Sequence, residues 1–261
     1  RTDDRDDGVG GHWISLSRLV TGGGTTFSGN VVTSGNFDTQ NANFAVALNG
    51  AANAVGGVGT FLNDSNVTIG ASGGTSTFTG GLDTSGATGT NTLNGAVSTT
   101  NTALTTGAVT LGSATTLNGG SGTITTGAVT GGTNNLTIAG TGTDTIASAS
   151  GIGTLTLNNT GGGVTVTGNL GATTLTTAAS NQNLAFTGAT NTVGTATFGA
   201  NTGTLTIGQS GGTSTFTNGL DITPVTGTKT LNGTVATTNT ALSTGAVTLG
   251  SATTLNAGSG A

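Results

Sequence analysis

The twelve residues GAVTLGSATTLN occur twice, at Gly107–Asn118 and again at Gly245–Asn256, 138 positions apart. They are the centre of a longer duplication. Ser72–Gly122 and Ser210–Gly260 align without a gap and share 41 of 51 residues. The same offset carries weaker matches upstream, at Ala47/Ala185, Gly50/Gly188, Val55/Val193 and Ile69/Ile207. A fixed internal period is the mark of a repeat architecture, in which one unit buries its apolar face only by stacking on the next. The chain therefore holds one long repeat and most of a second, as expected of a stretch from a larger array.

A shorter period runs beneath the long one. TTGAV occupies Thr105–Val109 and Thr125–Val129, twenty residues apart. Short alternating runs recur at that interval or half of it: Asn135–Ile138, Thr154–Leu157, Val164–Thr167, Thr174–Thr177, Leu184–Thr187 and Thr204–Ile207. Most place an apolar residue at every second position with Thr between, the period of a strand with one buried face. Gly, Asn, Ser and Asp separate the runs, and these residues make tight turns or tolerate positive φ. No apolar face recurs at 3.6 residues, so helix is not expected.

Short strands, tight turns and coils of about twenty residues predict an all-β fold, a parallel β-solenoid (β-helix) of roughly twelve rungs spanning residues 21–261. Leu, Ile, Val and Phe total 54 of 261 residues, four or five per rung, enough for a narrow interior but not for two broad facing sheets. A β-sandwich repeat array is the alternative. At about 4.8 Å per rung the stack would run roughly 55–60 Å. Outward Thr suits a pleated surface, and Asn can ladder at the turns.

Composition removes most functional classes. Charged residues are 5% of the chain, with four Lys+Arg and a net charge of −5, so no basic surface exists to track phosphates and nucleic acid is not an expected partner. Cys is absent, which excludes disulfides and thiolate metal sites. No apolar run reaches the roughly 18–20 residues of a spanning helix, and one Trp with no Tyr cannot supply the aromatic girdles of a membrane barrel. Membrane insertion of this segment is not expected. Disorder usually couples low hydrophobicity to high charge and Pro, whereas this chain has one Pro and a mean hydropathy of +0.11.

Candidate chemistry is correspondingly thin. Gly70–Gly74 and Gly208–Gly212 both fit G-x-S-x-G, but the single His, His12, precedes both and no helix follows, so they read as turns. The acidic run Asp3–Asp7 lacks calcium-loop spacing and reads as a solvated terminus. Asp83 and Asp221 are equivalent positions in the two copies. They would lie six or seven rungs apart, too far to act as a carboxylate pair on one sugar, and read as turn residues. T-x-T pairs at Thr75/Thr77, Thr154/Thr156, Thr165/Thr167, Thr204/Thr206 and Thr213/Thr215 raise ice binding through flat Thr rows, although their spacing along the chain is uneven. No catalysis, cofactor or metal is expected.

Residues 1–20 differ from the rest. They carry seven of the thirteen charged residues together with the only His and the only Trp. The segment begins without Met or a signal-peptide apolar core, so it reads as processed or excised. Trp13–Val20 alternates in part and reads either as a first strand capping the stack or as an arm that adds to a neighbouring subunit. On the second reading Trp13, Ile14, Leu16 and Val20 are the candidate subunit contacts.

The repeated GAVTLGSATTLN units, the NTALTTGAV before the first, and the Gly/Thr/Asn/Ala spacing between resemble the β-strand repeats of large bacterial surface proteins: autotransporter passengers, haemagglutinin-like adhesins and some surface-layer proteins. The resemblance covers about Thr21–Ala261. It implies export, a cell-surface or extracellular location, and a structural or adhesive task. The expected function is a non-catalytic extracellular structural protein: a self-assembling filament, sheath or surface-layer subunit, or an adhesin stalk. Its expected partner is a second copy, joined end to end or laterally. The alternative is a binding solenoid, for ice through Thr rows or for surface glycans.

Overall fold

The computed structural model describes residues 14–16 and 23–260. They contain 26 strands and no helix. The strands pair in parallel and stack as a β-solenoid of about 11 turns, close to the number expected from the coil length. Strand partners in successive turns lie between 18 and 24 residues apart. Parallel pairing at every such step sets aside the sandwich, whose hairpins and Greek keys pair strands antiparallel.

The chain forms two compact units, Arg1–Gly127 and Ala128–Ala261. In the first, three parallel sheets make the faces of each coil. One runs from Gly24–Phe27 through Ala45–Leu48 and Val67–Ile69 to the start of Asn91–Thr99 and of Val109–Asn118. The next runs from Val32–Thr33 through Ala52–Val55 and Thr75–Phe78 to the later parts of those two long strands. The third runs from Ile14–Leu16 through Phe37–Thr39, Val58–Thr60 and Gly81–Asp83 to Leu104–Thr106 and Ile124. The second unit repeats the plan, with one ladder passing through Val164, Leu184, Leu205, Lys229 and Thr248 neighbours.

Alternation supplies the core. Asn91–Thr99 and Lys229–Thr237 bury every second residue, so Leu93, Val97, Leu231 and Val235 point inward. In the first unit Phe37, Phe61 and Phe78 fill the interior and half-buried Phe27 extends them as a contiguous aromatic file, with ring centroids 5.9, 5.5 and 6.5 Å apart. Contacts of this kind add to the area that each ring removes from water. Gly95 and Gly233 mark the same register shift in the two copies, each at φ 64°. A Cβ there would lie 2.3 Å from the Gly74 carbonyl oxygen or 2.4 Å from that of Gly212, so only glycine fits the bulge.

Polar corners are stapled internally. Asn53 is buried; its Oδ1 accepts from the Val31 amide, and its Nδ2 donates to the Leu48 and Gly50 carbonyls and to Ser76 Oγ. One side chain thus ties three successive coils. Asn191, 138 residues on, repeats the set with Leu170, Phe186, Gly188 and Ser214. The Val31 and Leu170 amides and the Gly50 and Gly188 carbonyls thereby gain partners at a tight corner.

Candidate functional site

The last described strand, Thr248–Asn256, pairs along one edge with Lys229–Thr237. Among the described residues no strand pairs with its other edge, and Leu249 and Leu255 are exposed. Beside it lies an open depression of about 600 Å³ bordered by Thr223, Val225, Lys229, Gly245 and Val247. In the first unit the counterpart of Gly245 is Gly107, whose carbonyl accepts the Gly127 amide of the following coil at 3.1 Å. Likewise Leu104–Thr106, the counterpart of Leu242–Thr244, carries Ile124–Thr126 in parallel register. The depression is therefore where a further coil of the same type would sit. An edge of this kind presents unpaired backbone groups and templates another strand.

At the other end of the sequence, the backbone of Ile14–Leu16 runs parallel to Phe37–Thr39, with Ile14 opposite Phe37 and Leu16 opposite Thr39. These two of the four candidate contact residues thus lie on a strand that extends the third sheet of the first unit. Trp13 and Val20 lie outside the described residues, as do His12 and Asp3–Asp7.

A second surface is made of threonine. In the second unit Thr154, Thr174 and Thr195 are direct neighbours on successive turns. Thr137, Thr156, Thr176 and Thr197 form a parallel row two residues along. The residues between the rows, Leu155 and Leu175, are buried, so the threonines face out. Asn218 Nδ2 caps the first row by donating to Thr195 Oγ1. The array contains three T-x-T pairs, Thr154/Thr156, Thr174/Thr176 and Thr195/Thr197, of which only the first is among the pairs named above from the sequence. The rows form because partners are 20 residues apart between one pair of turns and 21 between the next, a step that only the pairing register reveals.

The remaining sequence candidates are structural. Gly70–Gly74 and Gly208–Gly212 are turns closed by Gly74 N–H to the Ala71 carbonyl and Gly212 N–H to that of Gln209. Asp83 Oδ1 accepts from the amide and hydroxyl of Ser85, and Asp221 Oδ1 from those of Thr223, the Asx turn of each copy. The Thr223 hydroxyl, then its amide, hold the Asp221 carboxyl below its usual value, with Lys229 a lesser contributor. Among the described residues no three His, Cys, Asp or Glu converge on a point, and no helix is long and apolar enough to cross a membrane. Comparison with protein-family models, with curated proteins and with solved structures finds no match for this chain.

Proposed function

We propose that this chain is a non-catalytic structural solenoid of an extracellular or cell-surface assembly, joined to further copies of itself by coil-on-coil stacking. The observation that carries the reading is that the coil is a module that docks on its own kind. The same corner bonds, bulge and register recur at 138-residue spacing in both units. Such a stack is stiff because each turn is held to the next by a full backbone ladder, and its weakly charged surface packs with little desolvation cost from charge. A further coil of the same type, from a second copy or from more of the same array, completes the edge of Thr248–Asn256. Residues 1–20, with Trp13, Ile14, Leu16 and Val20, serve as the joining arm.

Electron microscopy of the purified chain at micromolar concentration tests this. Uniform fibres are expected from the intact chain, with loss of fibres on deleting residues 1–20 and in a Leu249→Lys/Leu255→Lys variant. Single short rods from all three would overturn it.

The Thr rows favour a second reading, ice binding by a rigid face of regularly spaced hydroxyl and methyl groups. Strand geometry sets the repeat at about 4.8 Å across turns and about 6.7 Å along each strand. β-Branching restricts χ1, so the hydroxyls keep one orientation from turn to turn. Among the described residues no large aromatic is exposed, so the stacking platform that favours glycans has no counterpart here. Thermal hysteresis that is present in the wild type and abolished by Thr176→Lys would support this reading, and its absence from the wild type would sink it.

A further inference from the structure

The two copies differ at ten of 51 aligned positions, and five of the ten fall at one corner. Thr84, Ser85, Gly86, Ala87 and Asn91 of the first copy become Ile222, Thr223, Pro224, Val225 and Lys229 in the second. The backbone of the corner is unchanged: Ala87 N–H donates to the Thr84 carbonyl and Val225 N–H to that of Ile222, both at 3.2 Å. What changes is what fills it.

In the second unit the filling is a tethered cation. Lys229 is buried to 8% exposure, and its ammonium donates to the Val225 carbonyl at 2.9 Å and to the Ile222 carbonyl at 3.3 Å. The neighbouring positions, Ile222 and Val225, are apolar and buried. In the first unit the shorter Asn91 reaches only part of the way. Its Nδ2 donates to the Thr84 carbonyl at 3.4 Å and to the Ala108 carbonyl at 3.2 Å. Its Oδ1 has no partner, nor do the hydroxyls of Thr84 and Thr106, and the three residues are exposed by 1%, 0% and 3%. Thr84 lies directly beside Thr106 on the next turn, since Asp83 pairs with Thr105 and Thr84 N–H donates to the Thr105 carbonyl. Three orphaned oxygens thus sit on adjoining residues of a corner whose counterpart holds a positive charge. Leaving each without a partner would cost on the scale of a lost hydrogen bond.

We propose that this corner of the first unit binds a monovalent alkali cation, with Thr84 Oγ1, Asn91 Oδ1 and Thr106 Oγ1 as side-chain ligands, in the role that the Lys229 ammonium plays in the second. The donor set is neutral oxygen throughout, the kind that replaces the hydration shell of a potassium or sodium ion. A divalent ion wants carboxylates, and Oδ1 of the nearest one, Asp83, is taken by the amide and hydroxyl of Ser85. Thr126, whose hydroxyl is also orphaned, continues the row one turn further, opposite Thr106.

The test is thermal unfolding of the full chain in potassium, sodium or N-methylglucamine chloride at equal ionic strength, together with a crystal soaked in rubidium. A ligand that binds only the folded state raises Tm as its concentration exceeds Kd. A rise in Tm of about 2–4 °C over N-methylglucamine is expected in one of the alkali salts. The variant Thr84→Ile/Asn91→Lys, which installs the second copy's own residues, should melt alike in all three salts. Rubidium should give an anomalous peak between Thr84, Asn91 and Thr106 in the wild type. Identical wild-type melting in the three salts, with density at the corner that carries no anomalous signal, would show bound water only and overturn the proposal. The rubidium measurement stands whether or not the variant folds.

Discussion

The stretches Gly107–Asn118 and Gly245–Asn256 are the same twelve residues in two surroundings. Leu111 and Leu117 are buried, at 3% and 1% exposure; their counterparts Leu249 and Leu255 are exposed, at 59% and 46%. Both stretches form strands, both follow a long strand interrupted at a positive-φ glycine, and both hold the same corner bonds, such as Thr115 and Thr253 hydroxyls donating to the Leu93 and Leu231 carbonyls. Local conformation is thus written in the twelve residues, whereas burial is supplied by whatever stacks on them. That separation is what a quasi-one-dimensional fold implies: each turn contributes an intrinsic part and an interface part.

The largest expected effect comes from breaking this pair. Leu111→Ala should cost about 2–5 kcal/mol of stability, from lost burial plus the cavity left behind. Leu249→Ala, measured below the concentration at which copies associate, should stay within about 0.5 kcal/mol, as for other exposed sites. Chemical unfolding followed by circular dichroism reads both. Equal costs would mean that the edge of Thr248–Asn256 is covered in the isolated protein, and the contrast between the two copies would disappear.

Much of the fold was legible because period-two alternation recurs from coil to coil and the interval between coils stays near twenty residues. Leu136, Leu155 and Leu175 announce an inward column without any structure. Three kinds of feature were not legible. Asn53 and Asn191 are polar and read as turn residues, yet both point inward, because a corner must satisfy carbonyls that the ladder leaves over. The Thr154–Thr197 rows were hidden because coil length varies. A change of one residue per turn is enough to scramble the spacing along the chain while the stacking register stays intact. Lys229 carries no signal in the sequence alone. Its meaning is visible only beside Asn91, once the corner that the two share is on view.

The smallest expected effect sharpens the comparison at its most exposed point. Asp221 and Asp83 make the same turn, one closed by Thr223 and the other by Ser85. The Thr223 hydroxyl donates to Asp221 Oδ1 at 2.6 Å and is the leading cause of that carboxyl's lowered pKa. A folded-state value below the unfolded one means that the turn's contribution is complete above the unfolded carboxylate range. It is lost as pH falls through the lower, folded value. Because Asp221 is exposed, solvent screening keeps the contribution small. Thr223→Val keeps the amide donor and removes the hydroxyl, so the Asp221 carboxyl, followed by carbon-detected NMR, should titrate at higher pH than in the wild type. An unmoved titration would assign the lowering to the backbone amide and to Lys229, and the hydroxyl of this turn would then be decoration rather than closure.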